Sequence, residues 1–280
     1  MSLLIASLNS GSNGNCYYIG TEGEAVLVDA GISCRETETR LSNLGLSMQN
    51  VKALFISHEH IDHIRGVRVL ATKYELPVYI TSRTLKHSGI HIEKQLLHSF
   101  EANEQVRIGK ITVTPFAKEH DAVDPYSFIV EGNGIKVGVI TDIGIACKQV
   151  VHYFRQCHAC FLESNYDEQM LEEGGYPQRL KKRISGGKGH LSNAQALELF
   201  RKHKPAFMSH LLLSHLSKNN NHPDLVFELF SKQAATTRVI IASRERETAV
   251  HTVTNTSKEK LPLLIYSSAK KEYLQMSLFN

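Results

Sequence analysis

Four side chains of the kinds that bind metal ions follow a short apolar run in the first quarter of the chain. The run VKALFI (51–56) has the composition of a buried strand, and SHEHIDH continues directly from it. In an extended segment, residues i and i+2 face the same side, so His58 and His60 can bind one cation together. If the chain then turns into a helix, Asp62 and His63 are rotated toward a neighbouring position. The segment therefore predicts a strand end that supplies ligands to two metal ions.

Three further candidate ligands also follow apolar runs. His120 comes after KITVTPFA, Asp142 ends VGVITD, and His215 ends FMSHLLLSH. Proteins with α/β folds place functional residues where strands end, so we expect these side chains to converge on the first cluster. Asp142 has two carboxylate oxygens and could bridge two ions. A surface cluster, or buried histidines with ordinary hydrogen-bond partners, is the alternative for each residue taken singly.

The rest of the chain has the pattern of a layered α/β domain. Helices are predicted at 66–75 and at 193–203. In the second, apolar residues recur at spacings of three and four after a Ser or Asn cap. GNG (132–134), between two β-branched runs, predicts a hairpin turn. Strands are predicted at 24–31, 51–58, 76–81, 110–116, 126–142 and 159–164. With no repeat and no low-complexity linker, we expect one domain over 1–250, followed by a polar tail over 251–280.

Composition limits the function classes. The 280 residues are 42% hydrophobic and 21% charged, which is enough to bury a globular core. There is no apolar run of about 18 residues and no secretory leader, so we expect no membrane association and a cytoplasmic location. Five cysteines in a chain of this length do not indicate a disulfide framework, and Cys157 and Cys160 are expected to be buried packing residues. A net charge of +4 permits a polyanionic partner without requiring one.

The order of these motifs resembles that of the metallo-β-lactamase superfamily. Asp29 in LVDAG, the H-x-H-x-D-H segment, His120, Asp142 and His215 occur in the family's order, over most of residues 1–245. The resemblance implies an α/β fold, a four-layer αββα sandwich, with two divalent metal ions, zinc or manganese. It also implies that Asp142 and a hydroxide lie between the ions and that Asp29 supports the site from behind. The implied ligands are His58, His60 and His120 for one ion (the first ligand set) and Asp62, His63 and His215 for the other (the second ligand set).

Two later motifs resemble those of a narrower branch. FLESN contains Glu163 and GHLSNAQA contains His190, in the order of the RNase Z-type phosphodiesterases, where such a pair contacts the scissile phosphate. SGSNGNC, ESNYD and LSHLS are further similar to the bacterial YycJ (WalJ) group. That likeness implies a metal-dependent nuclease, a 5′ to 3′ DNA exonuclease with a role in DNA repair or replication. Only 22 residues separate His120 from Asp142, and 73 separate Asp142 from His215, which argues against the tRNA-gripping arm of RNase Z and the inserted domain of RNase J.

The implied reaction is in-line attack of an activated water on phosphorus. Asp62 would orient the water, while His190, held by Glu163, would stabilise the developing charge and protonate the leaving oxygen. Three alternatives stay open at this point. They are a small-molecule hydrolase of the same fold, an RNase, and a non-enzymatic regulatory protein with a metal site.

Basic residues cluster just before His190. RLKKR and GGKGH contain side chains that could line a phosphate path, and a solvated helix face is an equally good interpretation. The residues are Arg179, Lys181, Lys182, Arg183 and Lys188. We expect Lys188 and Arg183, together with His190, to bind substrate.

The end of the chain, QMSLF, resembles the peptide by which bacterial proteins bind the DNA sliding clamp. A hydrogen-bonding glutamine and apolar anchors in a groove are typical of such peptides. The residues are Gln275, Met276, Ser277, Leu278 and Phe279. The alternative is a tail that packs against the protein's own core.

Overall fold

The computed structural model describes residues 2–255, and within that range the strands form two sheets. The first sheet consists of β1 (Ser2–Asn9), β2 (Cys16–Gly20), β3 (Ala25–Val28), β4 (Val51–Phe55), β5 (Val78–Tyr79), β6 (Leu97–His98) and β14 (His251–Thr254). The second consists of β7 (Val106–Ile108), β8 (Ile111–Ala117), β9 (Tyr126–Gly132), β10 (Ile135–Ile140), β11 (Ala159–Glu163), β12 (His210–Ser214) and β13 (Arg238–Ile241). The spatial orders are β14-β1-β2-β3-β4-β5-β6 and β13-β12-β11-β10-β9-β8-β7.

Helices cover the outer face of each sheet. On the first sheet lie α1 (Cys34–Asn43), α2 (Ile61–Ile64), α3 (Val67–Tyr74) and α4 (Ser82–Ser88). The helices that follow along the chain, among the strands of the second sheet, are α5 (Lys148–Phe154), α6 (Glu168–Glu173), α7 (Gln178–Ser185), α8 (Asn193–His203) and α9 (Pro223–Ser231). Two short 3₁₀ turns occupy Met48–Asn50 and Lys94–Leu96.

Three apolar layers hold these elements together. The middle layer lies between the sheets and includes Phe55 from the first and Phe128 from the second, whose rings are 5.8 Å apart. One outer layer joins the first sheet to α1 and α3, and the other joins the second sheet to α5, α8 and α9. Side chains of a strand alternate between its two faces, so each sheet can supply two layers. The predicted four-layer αββα sandwich is confirmed.

Local signals explain several of these elements. In the β9–β10 hairpin, Asn133 and Gly134 have φ of 55° and 73°, the left-handed pair that a tight type I′ turn requires. Helix α8 begins with a capping box, in which Ser192 accepts from the Gln195 backbone and Gln195 accepts from the Ser192 backbone. Both features follow the predicted turn and the predicted helix start. The cysteines of CHAC are fully buried in the outer layer of the second sheet, as expected.

Strand direction brings several chain segments to one edge of the sandwich. β10, β11, β12 and β13 are parallel, and β3 and β4 are parallel in the first sheet. β8 runs in the same direction as β10 because both pair antiparallel with β9. The carboxyl ends of these strands therefore supply the loops of that edge.

The described chain continues past the predicted domain boundary. β14 pairs antiparallel with β1, with His251 opposite Ile5 and Thr254 opposite Ser2. The boundary at 250 thus falls immediately before a strand of the first sheet, because pairing with a distant strand leaves no local signal. The rest of the predicted tail, with the clamp-type peptide, lies outside the described residues. No helix within residues 2–255 has the length and apolar content needed to cross a membrane.

Candidate active site

Strand ends from both sheets meet where the sequence predicts a metal site. β4 leads to His58, β8 to His120, β10 to Asp142 and β12 to His215. The donor atoms of the first ligand set all lie within 4.8 Å of one another, and the same is true of the second ligand set. The fold therefore brings together all the predicted ligands from segments far apart in the chain.

The SHEHIDH segment changes from strand to helix at His60. This residue has an extended backbone and is the N-cap of α2, which carries Asp62 and His63. His58 Nε2 lies 3.0 Å from His60 Nδ1, and His63 Nε2 lies 3.6 Å from Asp62 Oδ2. The turn is the one that the sequence predicts, and it directs the two pairs of side chains to neighbouring positions.

Asp142 lies between the two ligand sets. Its Oδ2 is 3.4 Å from His63 Nε2, and its Oδ1 is 3.4 Å from His215 Nε2. The same Oδ1 is 4.0 Å from His120 Nε2 of the first ligand set. The carboxylate therefore has the position that a group bridging two cations needs.

Three residues of the site have a left-handed backbone. The φ angles are 60° for Asp29, 55° for Asp142 and 58° for His215, each one or two residues after a strand ends. Such a conformation costs non-glycine residues about 1–3 kcal/mol and persists where the surroundings enforce it. The occurrence of three such left-handed residues at one edge of the sandwich is typical of a functional site.

Each buried histidine of the predicted ligand sets has a partner on its second ring nitrogen. Such outer contacts fix the ring orientation and the tautomer of a metal-binding histidine. The Nδ1 distances are 2.8 Å from His58 to Ser57 Oγ, 2.7 Å from His63 to Asp29 Oδ2, 3.0 Å from His120 to Gly189 O and 3.2 Å from His215 to Glu163 Oε1. Nε2 then faces other polar groups in two of these histidines, at 3.0 Å from His60 Nδ1 for His58 and 3.2 Å from Asn15 Nδ2 for His63.

Several buried donor atoms have no hydrogen-bond partner among the described residues. They are Nε2 of His120, Oδ2 of Asp142 and Nε2 of His215. Buried polar atoms are almost always partnered in native proteins, because leaving one unpaired costs about 1–3 kcal/mol. Divalent cations would satisfy all three atoms, and nitrogen and oxygen donors suit both zinc and manganese. The residues present therefore fit a pair of divalent ions.

The two ligand sets differ in protonation. Burial lowers the pKa of His58 well below its usual value and that of His120 to about 4, so both imidazoles are neutral. Burial also disfavours protonation of His63, but Asp142, Asp29 and Asp62 outweigh it and raise the pKa of His63 to about 10. Burial likewise disfavours protonation of His215, but Asp142, Asp62 and Glu163 together outweigh it and raise the pKa of His215. Cations entering the second ligand set must displace these protons.

Glu163 and His190 form the pair that the sequence predicts. His190 Nδ1 lies 2.7 Å from Glu163 Oε1, and the His190 side chain is 22% exposed while Glu163 is fully buried. The ring of His190 stacks on that of His215, with centroids 5.1 Å apart. Burial raises the pKa of Glu163, but His190 and His215 outweigh it and lower that pKa to about 2. The pair therefore places a carboxylate-bound imidazole beside the metal ligands, at the opening.

The predicted basic contacts lie in different surroundings. Arg183 is largely exposed, and its Nε is 2.5 Å from Oδ2 of Asp121, whose other oxygen is 3.4 Å from His120 Nε2. Lys188 is exposed beside Gly189, the backbone partner of His120. Lys181 is buried and donates to the carbonyl of Glu172 in α6, so its expected place on a phosphate path is wrong.

Sequence reasoning missed three buried polar residues at the site. Lys118 donates to the Thr141 carbonyl at 2.8 Å, next to Asp142, and burial lowers its pKa. Asn165 donates to the His215 carbonyl at 2.8 Å. Asn15 lies 3.3 Å from Asp62. Both asparagines occur in motifs that the sequence singles out, SGSNGNC and FLESN, whereas Lys118 has no sequence signal.

A sandwich of two sheets with a cluster of His and Asp side chains at one edge is the architecture of a class of metal-dependent hydrolases. A family model described as the Beta-lactamase superfamily domain matches residues 24–215. The chain belongs to this superfamily, the one that contains the metallo-β-lactamase fold.

More specific similarities are found among curated proteins. The chain is 35% identical over 228 residues to the Exodeoxyribonuclease YycJ of Bacillus anthracis, covering 80% of this chain and 86% of the relative. It is 32% identical over 234 residues to the Exodeoxyribonuclease WalJ of Streptococcus pneumoniae serotype 2, covering 81% and 87%. Among solved structures, the metallo-β-lactamase fold protein YhfI of Bacillus subtilis has a TM-score of 0.70 at 15% identity, covering 90% of this chain and 100% of the other. That likeness concerns the fold alone.

Proposed function

We propose that this chain is a dinuclear metal-dependent phosphodiesterase, an exodeoxyribonuclease. The observation that carries the proposal is the contact of 2.7 Å between Glu163 and His190 beside two sets of metal-type donors. Two relatives that share about a third of their residues with it over most of both chains are named exodeoxyribonucleases, which supports DNA as the substrate. The 5′ to 3′ direction and a role in DNA repair or replication belong to the same proposal.

The proposed ligands follow the geometry of the two donor sets. The ions would be held by His58, His60 and His120 on one side, by Asp62, His63 and His215 on the other, and by Asp142 between them. When bound, two divalent ions would lower the pKa of a water and neutralise charge on the phosphoryl oxygens. Zinc and manganese both suit these donors.

The chain's own residues supply the remaining steps. Asp62 is the one carboxylate of the second ligand set and is 17% exposed, so it can accept a hydrogen bond from the attacking water and orient it. The water oxygen bonds to phosphorus opposite the leaving oxygen while one of the water protons is released to solvent, and the bond from phosphorus to the leaving oxygen breaks. His190 gives the leaving oxygen a proton from the nitrogen that does not face Glu163. Glu163 keeps the imidazole oriented through the contact with its Nδ1.

Arg183 and Lys188 are proposed to contact flanking phosphates. Both are exposed, and both lie in the segment that packs against His120. Arg183 would exchange its contact with Asp121 for a substrate phosphate. These phosphate contacts would add affinity for DNA without distinguishing one base sequence from another.

Hydrolysis of end-labelled polynucleotides tests the proposal. Single- and double-stranded DNA and RNA, labelled at either end, are incubated with the metal-free protein plus manganese or zinc. We expect a 5′ label on DNA to appear first as mononucleotide and a 3′ label to persist in shortening fragments. Turnover of RNA alone would replace the DNA assignment with an RNase. If a nitrophenyl phosphodiester is cleaved but no polynucleotide is, the protein is a small-molecule hydrolase.

The sliding clamp is a second proposed partner. The peptide at 275–279, QMSLF, is the support, and it lies outside the described residues. Both this partner and a DNA substrate fit a cytoplasmic protein, as do the free cysteines of the described chain. Deleting residues 275–280 should abolish clamp binding in a pull-down with purified proteins while leaving DNA hydrolysis intact. Equal clamp binding by the truncated protein would contradict it.

A further inference from the structure

The loop between β1 and β2 (residues 10–15, SGSNGN; the β1–β2 loop) touches the second ligand set from the protein interior. Asn15 is fully buried, and its Nδ2 lies 3.3 Å from Asp62 Oδ2 and 3.2 Å from His63 Nε2. Asp62 Oδ2 also lies 3.6 Å from His63 Nε2 and 3.7 Å from His215 Nε2, so it is close to the other two residues of the set. The side-chain amide of Asn15 thus contacts two of the three donors of that set.

Backbone contacts hold Asn15 at a fixed distance from these donors. Its N–H donates to the Asp62 carbonyl at 2.7 Å, and its own carbonyl accepts from Gly31 N–H at 2.8 Å. A Cβ on Gly31 would lie 1.7 Å from the Asp62 carbonyl oxygen and 2.6 Å from Asn15 N, so only glycine permits the approach. Replacing the Asn15 side chain leaves both backbone hydrogen bonds possible.

The third donor of the set is held by the same loop. Ser10 Oγ accepts the backbone N–H of His215 at 2.8 Å and lies 2.9 Å from Tyr17 Oη. Tyr17 in turn donates to Asn15 Oδ1 at 3.2 Å. A continuous buried network therefore connects His215, which has a left-handed backbone, to Asn15 and on to Asp62 and His63.

The first ligand set does not share this network. Within residues 2–255, no hydrogen bond joins the β1–β2 loop to His58, His60 or His120. His58 is held by Ser57 and His120 by the Gly189 carbonyl, on other segments. Ser57 Oγ contacts both sets, since it also lies 3.3 Å from His63 Nδ1, but only the second set is hydrogen-bonded to the β1–β2 loop.

We infer that Asn15 is a positioning residue for the second metal site alone, with Ser10 as its counterpart on His215. The inference rests on the proposed metal sites. The amide donates to one oxygen of Asp62 and so fixes which oxygen faces the cation, without adding a charge of its own. Loss of such an outer contact reduces metal affinity about 10- to 100-fold. The β1–β2 loop would thus set how tightly the second ion is held.

The test compares Asn15→Ala with Asn13→Ala in the full chain. Asn13 is in the same loop, but it is exposed and donates to the Arg244 carbonyl rather than to a ligand. Metal-free protein is titrated with manganese against a competing chelator, and the spin coupling of the two ions is followed by electron paramagnetic resonance. For Asn15→Ala we expect unchanged affinity for the first ion, second-ion affinity lowered about 10- to 100-fold, and an uncoupled spectrum at one equivalent. Asn13→Ala should match the wild type.

Wild-type affinity for the second ion in Asn15→Ala, or equal weakening of both ions, would overturn the inference. Thermal unfolding of the metal-free proteins checks folding. If Asn15→Ala is unfolded, Ser10→Ala decides by the same criterion, since it removes only the acceptor for His215 N–H and the contact with Tyr17. Metal affinity does not depend on DNA hydrolysis, so a protein that binds two ions as described but cleaves no polynucleotide would refute the proposed function and not this inference.

Discussion

Glu163 is the residue with the most consequential contacts at the site. One oxygen lies 2.7 Å from His190 Nδ1 and 3.2 Å from His215 Nδ1, and the other accepts the backbone N–H of Ile143 at 2.8 Å. Ile143 directly follows Asp142, so one buried carboxylate contacts the proposed acid, a proposed metal ligand and the segment of the proposed bridging aspartate. Because the His190 side chain is hydrogen-bonded to Glu163 and touches His215 only by ring stacking, we expect the chemical step and metal binding to be separable at His190.

Replacing His190 with alanine should therefore abolish catalysis without releasing the metals. The lost proton donor should reduce kcat about 100- to 10,000-fold, the usual contribution of a general acid. Metal content by elemental analysis should stay at the wild-type value, and KM for DNA should change much less than kcat. An unchanged kcat would remove His190 from the mechanism.

At the scale of elements, the segment after α7 packs on the loops that carry the ligands. A Cβ on Gly144 would lie 2.3 Å from the Gly187 carbonyl oxygen, so the two loops touch backbone to backbone. Gly144 N–H also donates to the Glu119 carbonyl at 2.7 Å, next to His120. The distance between His190 and the ligands is therefore set by the close approach of these two loops.

Gly144→Ala should push these loops apart. We expect the free energy of unfolding to fall by about 1–3 kcal/mol, the usual result of overpacking, and kcat to fall as His190 moves. Gly175→Ala is the matched control, because a Cβ there meets nothing within 4 Å. Denaturant unfolding and DNA hydrolysis measure both effects. Equal stability and activity of the two variants would contradict the packing argument.

The basic residues in the last turn of α7 and just after it should make the affinity for DNA depend on salt concentration. If Arg183 and Lys188 each contact a phosphate, replacing both with alanine should reduce the slope of log affinity against log salt. For single-stranded DNA, the expected change is about 1.4, which corresponds to two contacts. Fluorescence anisotropy with a labelled oligonucleotide in calcium, to prevent cleavage, measures the slope. An identical slope in the double variant would mean that these side chains belong to a solvated helix face.

At the scale of the whole molecule, the site depends on how the two sheets meet. The first sheet supplies the SHEHIDH segment and Asp29, while the second supplies His120, Asp142 and His215. The sheets also approach each other near β14, where the rings of His210 and His251 have centroids 5.7 Å apart. Burial, the neighbouring His251 and Arg238 lower the pKa of His210 to about 4. Burial and Arg238 lower the pKa of His251 to about 4 as well.

Because of this histidine pair, we expect the free energy of unfolding of the sandwich to fall at acidic pH. A histidine whose pKa is lower in the folded state stabilises the fold fully above its unfolded pKa of about 6.5, and this stability is lost as pH falls toward 4. Between pH 7 and 5, metal-free wild type should lose about 2 kcal/mol more than His251→Phe, which keeps a ring but cannot be protonated. Urea unfolding at both pH values tests this. Equal losses would show that His251 does not titrate on unfolding.

Much of the fold and of the site could be predicted because the relevant signals are local. The spacing of SHEHIDH, the turn at 132–134 and the capped helix at 193–203 each depend on a few neighbouring residues. Backbone periodicity then decides which side chains share a face. The fold class, confirmed above, followed from these local patterns and from the order of the motifs.

Other features were decided only by contacts across the chain. The pairing of β14 with β1 joins residues about 250 positions apart, so nothing near residue 250 could reveal it. Lys181 belongs to a basic run but is buried against Glu172, and Lys118 is buried beside Asp142 without any motif. Which polar side chain becomes an outer support depends on how loops from distant strands pack.

The candidate ligands could thus be named from the order of residues along the chain, because they either follow an apolar run that becomes a strand or lie in the SHEHIDH segment directly after one. Apart from Asp29, the groups that support them were decided only by the folded chain, since Asn15 and Asp62 are neighbours solely through the meeting of β1, β3 and the loop after β4. Whether a side chain can bind a metal ion is a chemical property of the single residue. Which other side chain lies about 3 Å from it, and holds it in place, depends on three-dimensional packing.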